Sequence, residues 1–499
     1  MKKRYVTFTH LFTLLVPFCC GAAESNLPKN PGFETETLPV ASGIVSVVAA
    51  LPQTETGTSP VFETETVAVP DGVLRWPLGS SPVWIIEGNL PGQRGLEPEN
   101  SPFGIHPATV PGGGYASANE IGIDWERAGK YFMWVLSEPD LNGIYDWAGY
   151  DLYFHNVPSG MQVMKNITVA HNSMVKVADR RTDQSQDNRR KLDISRHLDG
   201  TTYRPADSEA YSRWVQAAVE RYDGDGSDDM PGLANPVKYW QVDNEPPRRR
   251  EGYADLVRIT YSAIKEADPT AQVLLGGLEL PADERSLKNW ERTQLPILRE
   301  LNGQSIDILD LHYFGKVGGW QNMADALDRV RRDLEDCGFP RDLPIWITET
   351  GTYSGSPTDR RGDGREPLQT ESEQAAELLK RYTVARYLGV EKIFWAWGMM
   401  EGFKHDDCFF DYTGLIYEGR GSDDPGRGVK KRSYWSYGKM TELLQYWDGS
   451  APQKLETAPS VHAYRFRLAA NPDQGIILAW KVEEAEEHRK VSPARVSDR

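Results

Sequence analysis

Short apolar runs alternate with one-sided helical patterns between residues 102 and 447, and this alternation limits the possible folds more than any other feature. Eight runs are typical of strands, at 103–106, part of 125–134, 161–170, 237–244, 272–277, 306–313, 345–350 and 392–397. Helical patterns lie between them, the clearest at 208–222, 253–267, 322–337 and 372–388. This alternation predicts an α/β fold, a (β/α)8 TIM barrel with long loops.

An open, doubly wound sheet is the alternative α/β arrangement. Sheets of that kind that hold a nucleotide carry a Gly-rich phosphate loop after a strand, and no such loop follows any of the eight runs. The last helical pattern places Ala375, Leu378, Leu379 and Tyr382 at the spacing of a helix with one buried face. The barrel is therefore the predicted architecture, and residues 102–447 are its predicted span.

The segment before the predicted barrel has a different composition. Residues 24–101 are rich in Pro, Thr, Gly and Ser, and the string Phe-Glu-Thr-Glu-Thr occurs at 33–37 and again at 62–66. Turn-forming residues of this kind are typical of loops, whereas the apolar run at 83–86 is typical of a strand. The sequence alone leaves both interpretations open, a polar linker or several β segments.

The segment after the predicted barrel, residues 448–499, contains two alternating runs. These runs, at 461–467 and 476–480, flank a predicted turn at 471–475 and are followed by a charged tail. Together they predict a β-hairpin. One hairpin alone is barely stable, so we expect a small accessory β-domain in which N-terminal strands are candidates to complete the sheet.

The first 23 residues resemble a secretory signal peptide. Residues 2–4 are basic, an apolar stretch follows, and Gly-Ala-Ala at 21–23 offers a cleavage site. Cys19 and Cys20 raise the alternative of a lipoprotein anchor, although Phe18 is bulky where such a signal has a small residue. No later segment has 18 uninterrupted apolar residues. We therefore expect a secreted or periplasmic protein without a membrane span.

The net charge excludes some classes of partner. The 499 residues include 56 Lys and Arg against 72 Asp and Glu, a formal charge of −16. Such a surface repels phosphate backbones, so nucleic acid is not an expected partner. Cys337 and Cys408 would remain after removal of a signal peptide, and either a disulfide or two free thiols fits their spacing. No Cys/His cluster has the spacing of a zinc site, so we do not expect structural zinc.

Polar and aromatic side chains stand at the ends of the predicted strands, where a barrel brings them into one cleft. In chain order they are His106, Arg127, His171, Asn244, Glu245, His312, Tyr313, Glu349, Trp395 and Trp397. Glu245 ends the fourth strand and Glu349 ends the seventh. We therefore expect two carboxylates to face each other across the cleft.

Cleavage of a glycosidic bond needs such a pair. One carboxyl group protonates the leaving oxygen, and the other attacks or supports the anomeric carbon. Two neighbouring carboxyls also push their pKa values apart, so that one can stay protonated while the other is ionised. The sequence therefore favours sugar-bond chemistry over other reactions of barrel enzymes.

The remaining strand-end residues are candidates for binding the substrate. Asn244 can donate a hydrogen bond to a sugar hydroxyl, Arg127 can keep the nucleophile ionised, and Tyr313 can orient it. We expect Trp395 to offer a flat face for a sugar ring, in preference to Trp397 on the same predicted face. The three histidines, His106, His171 and His312, fit either a substrate contact or a structural role.

At these residues the sequence resembles the clan A glycoside hydrolases, the retaining barrel enzymes of the family 39-like and family 5-like kind. Asn244-Glu245-Pro246 is similar to their Asn-Glu-Pro motif, and residues 348–351 are similar to their Thr-Glu-x-Gly motif. Segments 122–127 and 134–147 add to a resemblance that covers about residues 102–447 and the trailing hairpin. It implies that Glu245 is the acid/base and Glu349 the nucleophile of an enzyme that acts on a β-linked poly- or oligosaccharide.

Two loops carry further predictions. Residues 179–203 form a long, charged loop that we expect to lie over the cleft and to influence specificity. Asp223, Asp225 and Asp229 alternate with glycines as in the opening of a calcium loop, although position 234 is alanine where an EF-hand has glutamate. Calcium is the only metal or cofactor that the sequence suggests, and a solvated loop is the alternative.

Three other functions compete with the hydrolase. A carbohydrate-binding barrel without activity would keep the aromatic residues, but both carboxylates are present. An envelope scaffold protein would be built from the terminal β segments. A lyase or aldolase would need a lysine at a strand end, and Lys165, inside a predicted strand, is the nearest candidate.

Overall fold

The computed structural model describes residues 35–53, 60–108, 114–171, 174, 194–246, 251–359, 362, 364–419, 421 and 423–482. The predicted signal peptide, most of the charged loop 179–203 and the charged tail lie outside these residues. All statements below concern the described part of the chain.

The strands fall into one parallel and two antiparallel sheets. In chain order they are β1 (Thr35–Pro39), β2 (Gly43–Ala49), β3 (Thr64–Val69), β4 (Val73–Pro77), β5 (Val83–Glu87), β6 (Phe103–His106), β7 (Trp125–Arg127), β8 (Phe132–Met133), β9 (Gln162–Thr168), β10 (Tyr239–Val242), β11 (Gln272–Leu274), β12 (Leu278–Glu279), β13 (Leu309–Phe314), β14 (Ile345–Gly351), β15 (Val390–Ala396), β16 (Gln453–Lys454), β17 (Val461–Leu468) and β18 (Asn471–Lys481).

The large sheet is parallel and curled. Its strands follow the order β11-β10-β9-β7-β6-β15-β14-β13-β12, with β8 beside β9. The two strands at its ends, β11 and β12, are successive parts of one stretch of chain. Leu274 at the end of β11 also bridges in parallel to Ile308, just before β13, and Leu275 N donates to Ile308 O at 3.3 Å.

Ten helices cross between these strands or border them. They are α1 (Gly114–Glu120), α2 (Trp134–Ser137), α3 (Ala148–Asn156), α4 (Ser208–Tyr222), α5 (Tyr253–Ala267), α6 (Glu284–Asn289), α7 (Leu295–Leu301), α8 (Met323–Asp336), α9 (Glu371–Tyr387) and α10 (Arg432–Leu444). A π-turn at Trp290–Gln294 joins α6 to α7. Among the described residues, no helix is both long enough and apolar enough to cross a membrane.

The predicted α/β class is confirmed, and each predicted strand is present with somewhat different bounds. Capping residues explain why the starts of the helices could be predicted from the sequence. Asp207 accepts from Ala210 N at 2.9 Å and so begins α4, while Thr370 and Glu373 form a capping box that begins α9. Both helices start within one residue of the predicted position.

The inside of the parallel sheet is filled by large apolar side chains. Trp125, Met164, Leu274, Ile308, Trp346 and Phe394 form one buried cluster, to which β7, β9, β11, β14 and β15 contribute. Because side chains alternate along a strand, the residues two positions further along the same strands also face this interior. There the lining changes from apolar to polar.

The flanking segments together form one antiparallel sheet, so the linker interpretation of residues 24–101 is wrong for its described part. The order β16-β17-β18-β5-β2-β3 places the C-terminal hairpin beside the N-terminal strands, as expected for a completed accessory sheet. The predicted turn at 471–475 is wrong, because the chain turns at Ala469 and Ala470 and β18 begins at Asn471. Leu468 pairs with Asn471, so β18 includes the polar residues that were predicted to form the turn.

The accessory sheet is buried on both faces. One face joins the core of the parallel-sheet region through contacts such as the Trp320 and Trp480 rings, whose centroids lie 5.2 Å apart. The other face packs beneath the β1–β4 pair, with Leu38 and Trp76 in a second cluster. The sheet therefore joins the large core to a smaller one.

Cys337 is buried, Cys408 is half-buried, and neither forms a disulfide. Of the two possibilities that the sequence left open, the structure has the free thiols.

Candidate active site

A buried polar layer lies two residues beyond the apolar cluster, towards the carboxyl ends of the strands. It consists of Arg127, Asn166, Gln241, Asp310 and Thr348, all fully buried. Gln241 Oε1 accepts from Asn166 and from Arg127, and its amide donates to Asp310. Buried polar groups are stable only when their hydrogen bonds are satisfied, so this layer fixes the side chains above it.

Arg127 connects the polar layer to both predicted catalytic motifs. Its Nη1 donates to Glu349 Oε1 at 2.5 Å, and its Nη2 donates to Asn244 Oδ1 at 2.5 Å. Its Nε donates to Gln241 Oε1 at 2.9 Å. A guanidinium held at three positions has one fixed orientation. Here that orientation places its positive charge next to the Glu349 carboxylate.

His312 lies between the two predicted catalytic carboxylates. Its Nδ1 is 2.9 Å from Glu245 Oε1 and 3.5 Å from Glu349 Oε2. One oxygen of each carboxylate and one nitrogen of His312 all lie within 4.8 Å of one another. The residues that end strands four, six and seven therefore meet at one point, as the strand-end prediction required.

The protonation of His312 follows from its partners. Thr348 Oγ1 donates to Asp310 at 2.7 Å, so its oxygen is left to accept from His312 Nε2 at 3.3 Å. Burial alone lowers the pKa of His312, but the charge of Glu349, the hydrogen bond with Glu245 and the charge of Asp310 outweigh it and raise the pKa above its usual value. We conclude that both ring nitrogens carry protons when the carboxylates are ionised.

The two carboxyl groups have opposite pKa shifts. Desolvation in the cleft raises the pKa of Glu245, yet the hydrogen bond and charge of His312 more than compensate, so this pKa is lowered. The Glu245 side chain is still 58% exposed at the mouth of the cleft. Burial raises the pKa of Glu349, and the charges of His312 and Arg127 offset this only in part.

Two glycines that follow β11, Gly276 and Gly277, lie against residues of the site. Glu245 N donates to Gly276 O at 2.9 Å, which fixes the backbone of the Asn-Glu motif. Gly277 has φ +48°, and a Cβ at this position would lie 2.2 Å from His312 Nε2. Only glycine therefore fits between the chain and the imidazole ring.

His106 and His171, whose roles the sequence left open, both lie near the carboxylates. His106 Nδ1 donates to Arg127 O at 2.6 Å, which leaves Nε2 facing Glu349 Oε1 at 3.5 Å. Burial and the charge of Arg127 hold the pKa of His106 well below its usual value, so the ring is neutral. The charge of His171 contributes to the lowered pKa of Glu245.

Tyr313 and Trp395 do not have the predicted positions. The Tyr313 hydroxyl donates to Gly319 O at 2.6 Å, so it does not orient Glu349. Trp395 is fully buried, and its Nε1 donates to Thr413 O at 2.8 Å. The predictions for both residues are wrong, because these side chains point into the surrounding layer rather than into the cleft.

Trp397 and Phe403 are the aromatic residues beside the cleft. The Trp397 ring lies 4.5 Å from the His106 ring and stacks on Phe403 at 3.9 Å. Phe403 is 43% exposed. Phe403 is therefore a partly exposed aromatic ring beside Trp397, and the sequence analysis did not single it out.

Tyr131 is a further residue that the sequence analysis missed. It is buried, and its ring lies 5.3 Å from the His171 ring and 5.9 Å from Arg127 Cζ. Burial raises the pKa of its hydroxyl, and the charges of Glu349 and Glu245 add to this. The only sequence signal was a tyrosine inside the second predicted run, at 125–134.

Lys165 lies apart from this site. Its Nζ donates to Lys130 O at 2.8 Å and sits 3.6 Å from the centroid of the Tyr153 ring. Its neighbours in β9, Met164 and Asn166, face the interior, so Lys165 faces the helices. It is not placed to form a Schiff base in the cleft.

Asp223, Asp225 and Asp229 come together in the loop after α4. One carboxylate oxygen from each lies within 4.8 Å of the others. Asp229 accepts from Gly224 N and Gly226 N at 3.0 and 2.8 Å, so the carboxylates also cap the backbone of the loop. Calcium binding here stays a prediction.

Neither a family model nor a curated protein sequence matches this chain. Solved structures match it in fold. A family 39 glycoside hydrolase from the gut symbiont Bacteroides cellulosilyticus WH2 is similar with a TM-score of 0.53 and 13% identity, over 90% of this chain and 88% of that one. A glucosidase from Croceicoccus marinus has a TM-score of 0.48 and 15% identity, over 81% and 83% of the two chains.

The fold of this chain is similar to that of the family 39 structure. The resemblance to clan A glycoside hydrolases that the motifs indicated is thus confirmed at the level of the fold. At 13% identity the comparison does not extend to a substrate or to residue roles.

Proposed function

We propose that this protein is an exported, retaining glycoside hydrolase that cleaves β-glycosidic bonds in a poly- or oligosaccharide. The observation that carries the proposal is the approach of Glu245 and Glu349, whose nearest ligand atoms lie within 4.8 Å. Retaining enzymes hold their two carboxyl groups about 5–5.5 Å apart, whereas inverting enzymes leave about 6.5–9.5 Å for a water molecule. The short separation favours a covalent intermediate.

The proposal takes the parallel sheet to be a closed (β/α)8 barrel. Three observations support closure: β11 and β12 belong to one strand-like stretch, Leu274 bridges to Ile308, and the interior cluster combines residues from strands all along the sheet. In a barrel the active site lies at the carboxyl ends of the strands. Glu245, His312 and Glu349 lie at those ends.

In the first step Glu349 attacks the anomeric carbon and Glu245 protonates the leaving oxygen. Arg127 keeps Glu349 ionised against the effect of burial and stabilises its charge until the bond forms. Asn244, held by Arg127, is placed to donate its amide to a sugar hydroxyl beside the anomeric carbon. In the second step Glu245 removes a proton from water, which attacks the same carbon and releases Glu349.

His312 supplies the proton that Glu245 needs. The lowered pKa of Glu245 means that this carboxyl is ionised while His312 holds the proton. Transfer from Nδ1 to Glu245 Oε1, 2.9 Å away, leaves a neutral ring whose Nε2–H stays bound to Thr348. The two residues therefore titrate as one pair.

The test is release of reducing ends from a panel of β-linked plant and bacterial polysaccharides. Glu349→Ala should lose activity entirely. Glu245→Ala should lose activity on polysaccharides but regain turnover of an activated aryl glycoside when sodium azide is added, with a β-glycosyl azide as product.

Glu284→Ala, an exposed glutamate outside the cleft, is the matched control and should keep wild-type activity. An inverted anomeric product by NMR would contradict retention. Activity that survives both catalytic substitutions would contradict the site.

Sugar binding without any cleavage would favour the carbohydrate-binding barrel. The scaffold alternative has less support, because the terminal strands are packed against the barrel region rather than free of it. It predicts binding that is retained after deletion of residues 102–447.

A further inference from the structure

A third carboxylate, Asp310, lies below the two proposed catalytic ones. It is fully buried on β13, two residues before His312, and the proposed mechanism gives it no part. Its Oδ1 accepts from Thr348 N at 3.1 Å, and its Oδ2 accepts from Thr348 Oγ1 at 2.7 Å. Oδ2 also accepts from the amide of Gln241. Asp310 therefore receives three hydrogen bonds from uncharged groups.

Asp310 is an anion at neutral pH. Burial raises the pKa of its carboxyl to about 6, and the charges of His312 and Arg127 and the hydrogen bonds from Thr348 limit this rise. An ionised carboxylate has no proton to donate, so it can only accept hydrogen bonds. Above this pH every hydrogen bond at Asp310 must therefore point towards it.

One chain of hydrogen bonds runs from Asp310 to Glu349. Gln241 donates its Nε2 to Asp310, so its Oε1 is left to accept from Arg127 Nε at 2.9 Å. The opposite orientation of this amide would bring two oxygens together at Asp310 and two N–H groups together at Arg127. Arg127 in turn donates to Glu349 and to Asn244. The charge of Asp310 thus fixes the amide that supports Arg127.

A second chain runs from Asp310 to Glu245. The single hydroxyl proton of Thr348 points to Asp310, so the hydroxyl oxygen faces His312 Nε2 at 3.3 Å as an acceptor. Asp310 Oδ2 itself lies 3.8 Å from the same nitrogen. A neutral imidazole carries one N–H, and an acceptor at Nε2 favours the form with the proton there. The Nδ1 atom, 2.9 Å from Glu245 Oε1, is then the one that can release its proton.

We propose that Asp310 is a positioning residue of the reaction: its negative charge sets the direction of both hydrogen-bond chains and so frees Nδ1 of His312 to pass its proton to Glu245. The proposal rests on the proposed function, in which Glu245 is the acid/base. Asp310 is fully buried, so it acts through Thr348 and Gln241 rather than on the substrate. One buried charge therefore serves both proposed catalytic carboxylates.

Four other titratable groups lie around His312 and its partners. They are Glu245 after β10, Glu349 on β14, Arg127 on β7 and His106 on β6. Both glutamates raise the pKa of His312, as Asp310 does, whereas the His106 ring is neutral. A substitution at Asp310 keeps all four groups, so it isolates the effect of the third carboxylate.

The direct test is ¹⁵N NMR of protein labelled at histidine, with the His312 signals assigned by their absence in His312→Gln. In the wild type, above the pKa of His312, the remaining ring proton should lie on Nε2. In Asp310→Asn the new amide can donate to the Thr348 oxygen, which turns the hydroxyl proton towards the ring. The remaining proton should then move to Nδ1, and the pKa of His312 should fall by about one unit or more, because a neighbouring negative charge is lost.

Two variants of Thr348 separate the hydrogen-bond chain from the charge. Thr348→Val removes the hydroxyl, so the preference for a proton on Nε2 should be lost, whereas Thr348→Ser keeps the hydroxyl and should keep the wild-type form. The same pair decides the proposal if Asp310→Asn does not fold. Asp333→Asn is the control, because this buried carboxylate on α8 accepts from Trp290 Nε1 at 2.7 Å, outside the site. It should leave the His312 signals unchanged.

Activity gives a second readout. In Asp310→Asn, kcat/KM for the shortest β-linked oligosaccharide cleaved in the polysaccharide panel should fall at least tenfold. The pH at which kcat/KM falls on the alkaline side should decrease together with the pKa of His312. Asp333→Asn should change neither quantity.

A wild-type ring with its proton on Nδ1, or the same ring form in Thr348→Val as in the wild type, would overturn the proposal. A loss of activity in Asp310→Asn without any change in the pH profile would also overturn it, because a merely structural role predicts that result. A wild-type protein that cleaves no substrate would overturn the hydrolase instead. The NMR result would then decide alone whether Asp310 directs the proton of His312.

Discussion

The His312 ring lies next to both proposed catalytic carboxylates and forms a hydrogen bond with Thr348. An imidazole among carboxylates is a stronger base than a free one, because each negative charge favours the protonated form. The pKa of His312 is accordingly raised and that of Glu245 lowered. In the proposed mechanism, the proton for catalysis is thus held on His312 and is passed to Glu245, the group that delivers it to the substrate.

The pH dependence of kcat/KM tests this storage. The proton is present below the pKa of His312 and is lost as pH rises through it, so wild-type activity should fall on the alkaline side at a pH above the usual histidine value. In His312→Gln only a carboxyl group can hold the proton. The pH at which kcat/KM falls on the alkaline side should therefore decrease by at least one unit. His405→Gln, at an exposed histidine, is the control. An unmoved limb in His312→Gln would contradict proton storage.

The sequence singled out both proposed catalytic carboxylates because each follows an apolar run, where a surface charge is not expected. The sequence did not show which of the two neighbours His312 and Tyr313 faces the cleft. Side chains alternate along a strand, so only one of them can do so, and the pairing register shifts between Leu311 and His312. Asp310 was missed although it carried a signal, a charge inside an apolar run.

At the scale of elements, the glycines after β11 determine how closely the chain can approach the site. The strand run at 272–277 was predicted as continuous, but it breaks after Leu274 and resumes at Leu278. The break lets Gly276 hold Glu245 and lets Gly277 lie against His312. The sequence could not show this, because the reason for Gly277 lies in a ring 35 residues away along the chain.

Gly277→Ala should therefore damage activity more than stability. The new Cβ would clash with the His312 ring, and we expect kcat/KM to fall at least tenfold while the free energy of unfolding falls by about 1–2 kcal/mol, the cost of a positive φ for alanine. Gly200→Ala has a similar φ of +61° with nothing within 4 Å of the new Cβ, so it isolates the backbone cost. Equal activity in the two variants would refute the clash.

The loop after α4 allows a test of the calcium prediction. If Asp223, Asp225 and Asp229 bind calcium, a chelator should lower the melting temperature by several degrees, since a ligand that binds only the folded state stabilises it. Asp229→Asn should remove most of this chelator effect. A melting temperature that is the same with and without chelator would leave the loop as a solvated turn held by its own backbone bonds.

At the scale of the whole molecule, the terminal strands belong to the same folding unit as the barrel region. Trp480 of β18 packs against Trp320, and Phe466 of β17 packs against Trp447. The hairpin could be predicted from its alternating pattern, but its partner strands could not, because pairing of β18 with β5 joins segments almost 400 residues apart.

A chain that ends at residue 452 should fail to fold. It would lose β17 and β18 and expose the apolar faces of Trp84 and Ile86. Burial of one large apolar side chain contributes about 1.5–3 kcal/mol, and total stabilities are about 5–15 kcal/mol, so the loss of several such side chains exceeds the margin. A chain that ends at residue 482 is the control and should melt as wild type. A soluble, cooperatively melting shorter chain would show that the accessory sheet is dispensable.

The first and last described strands lie close together, since Lys481 Nζ of β18 binds Glu36 Oε1 of β1 at 2.6 Å, and within the accessory sheet β18 lies between β17 and β5. During synthesis β5 therefore emerges about 390 residues before the part of β18 with which it pairs. Until those residues emerge, one edge of β5 stays unpaired, and the accessory sheet lacks the contact that joins its N-terminal and C-terminal strands.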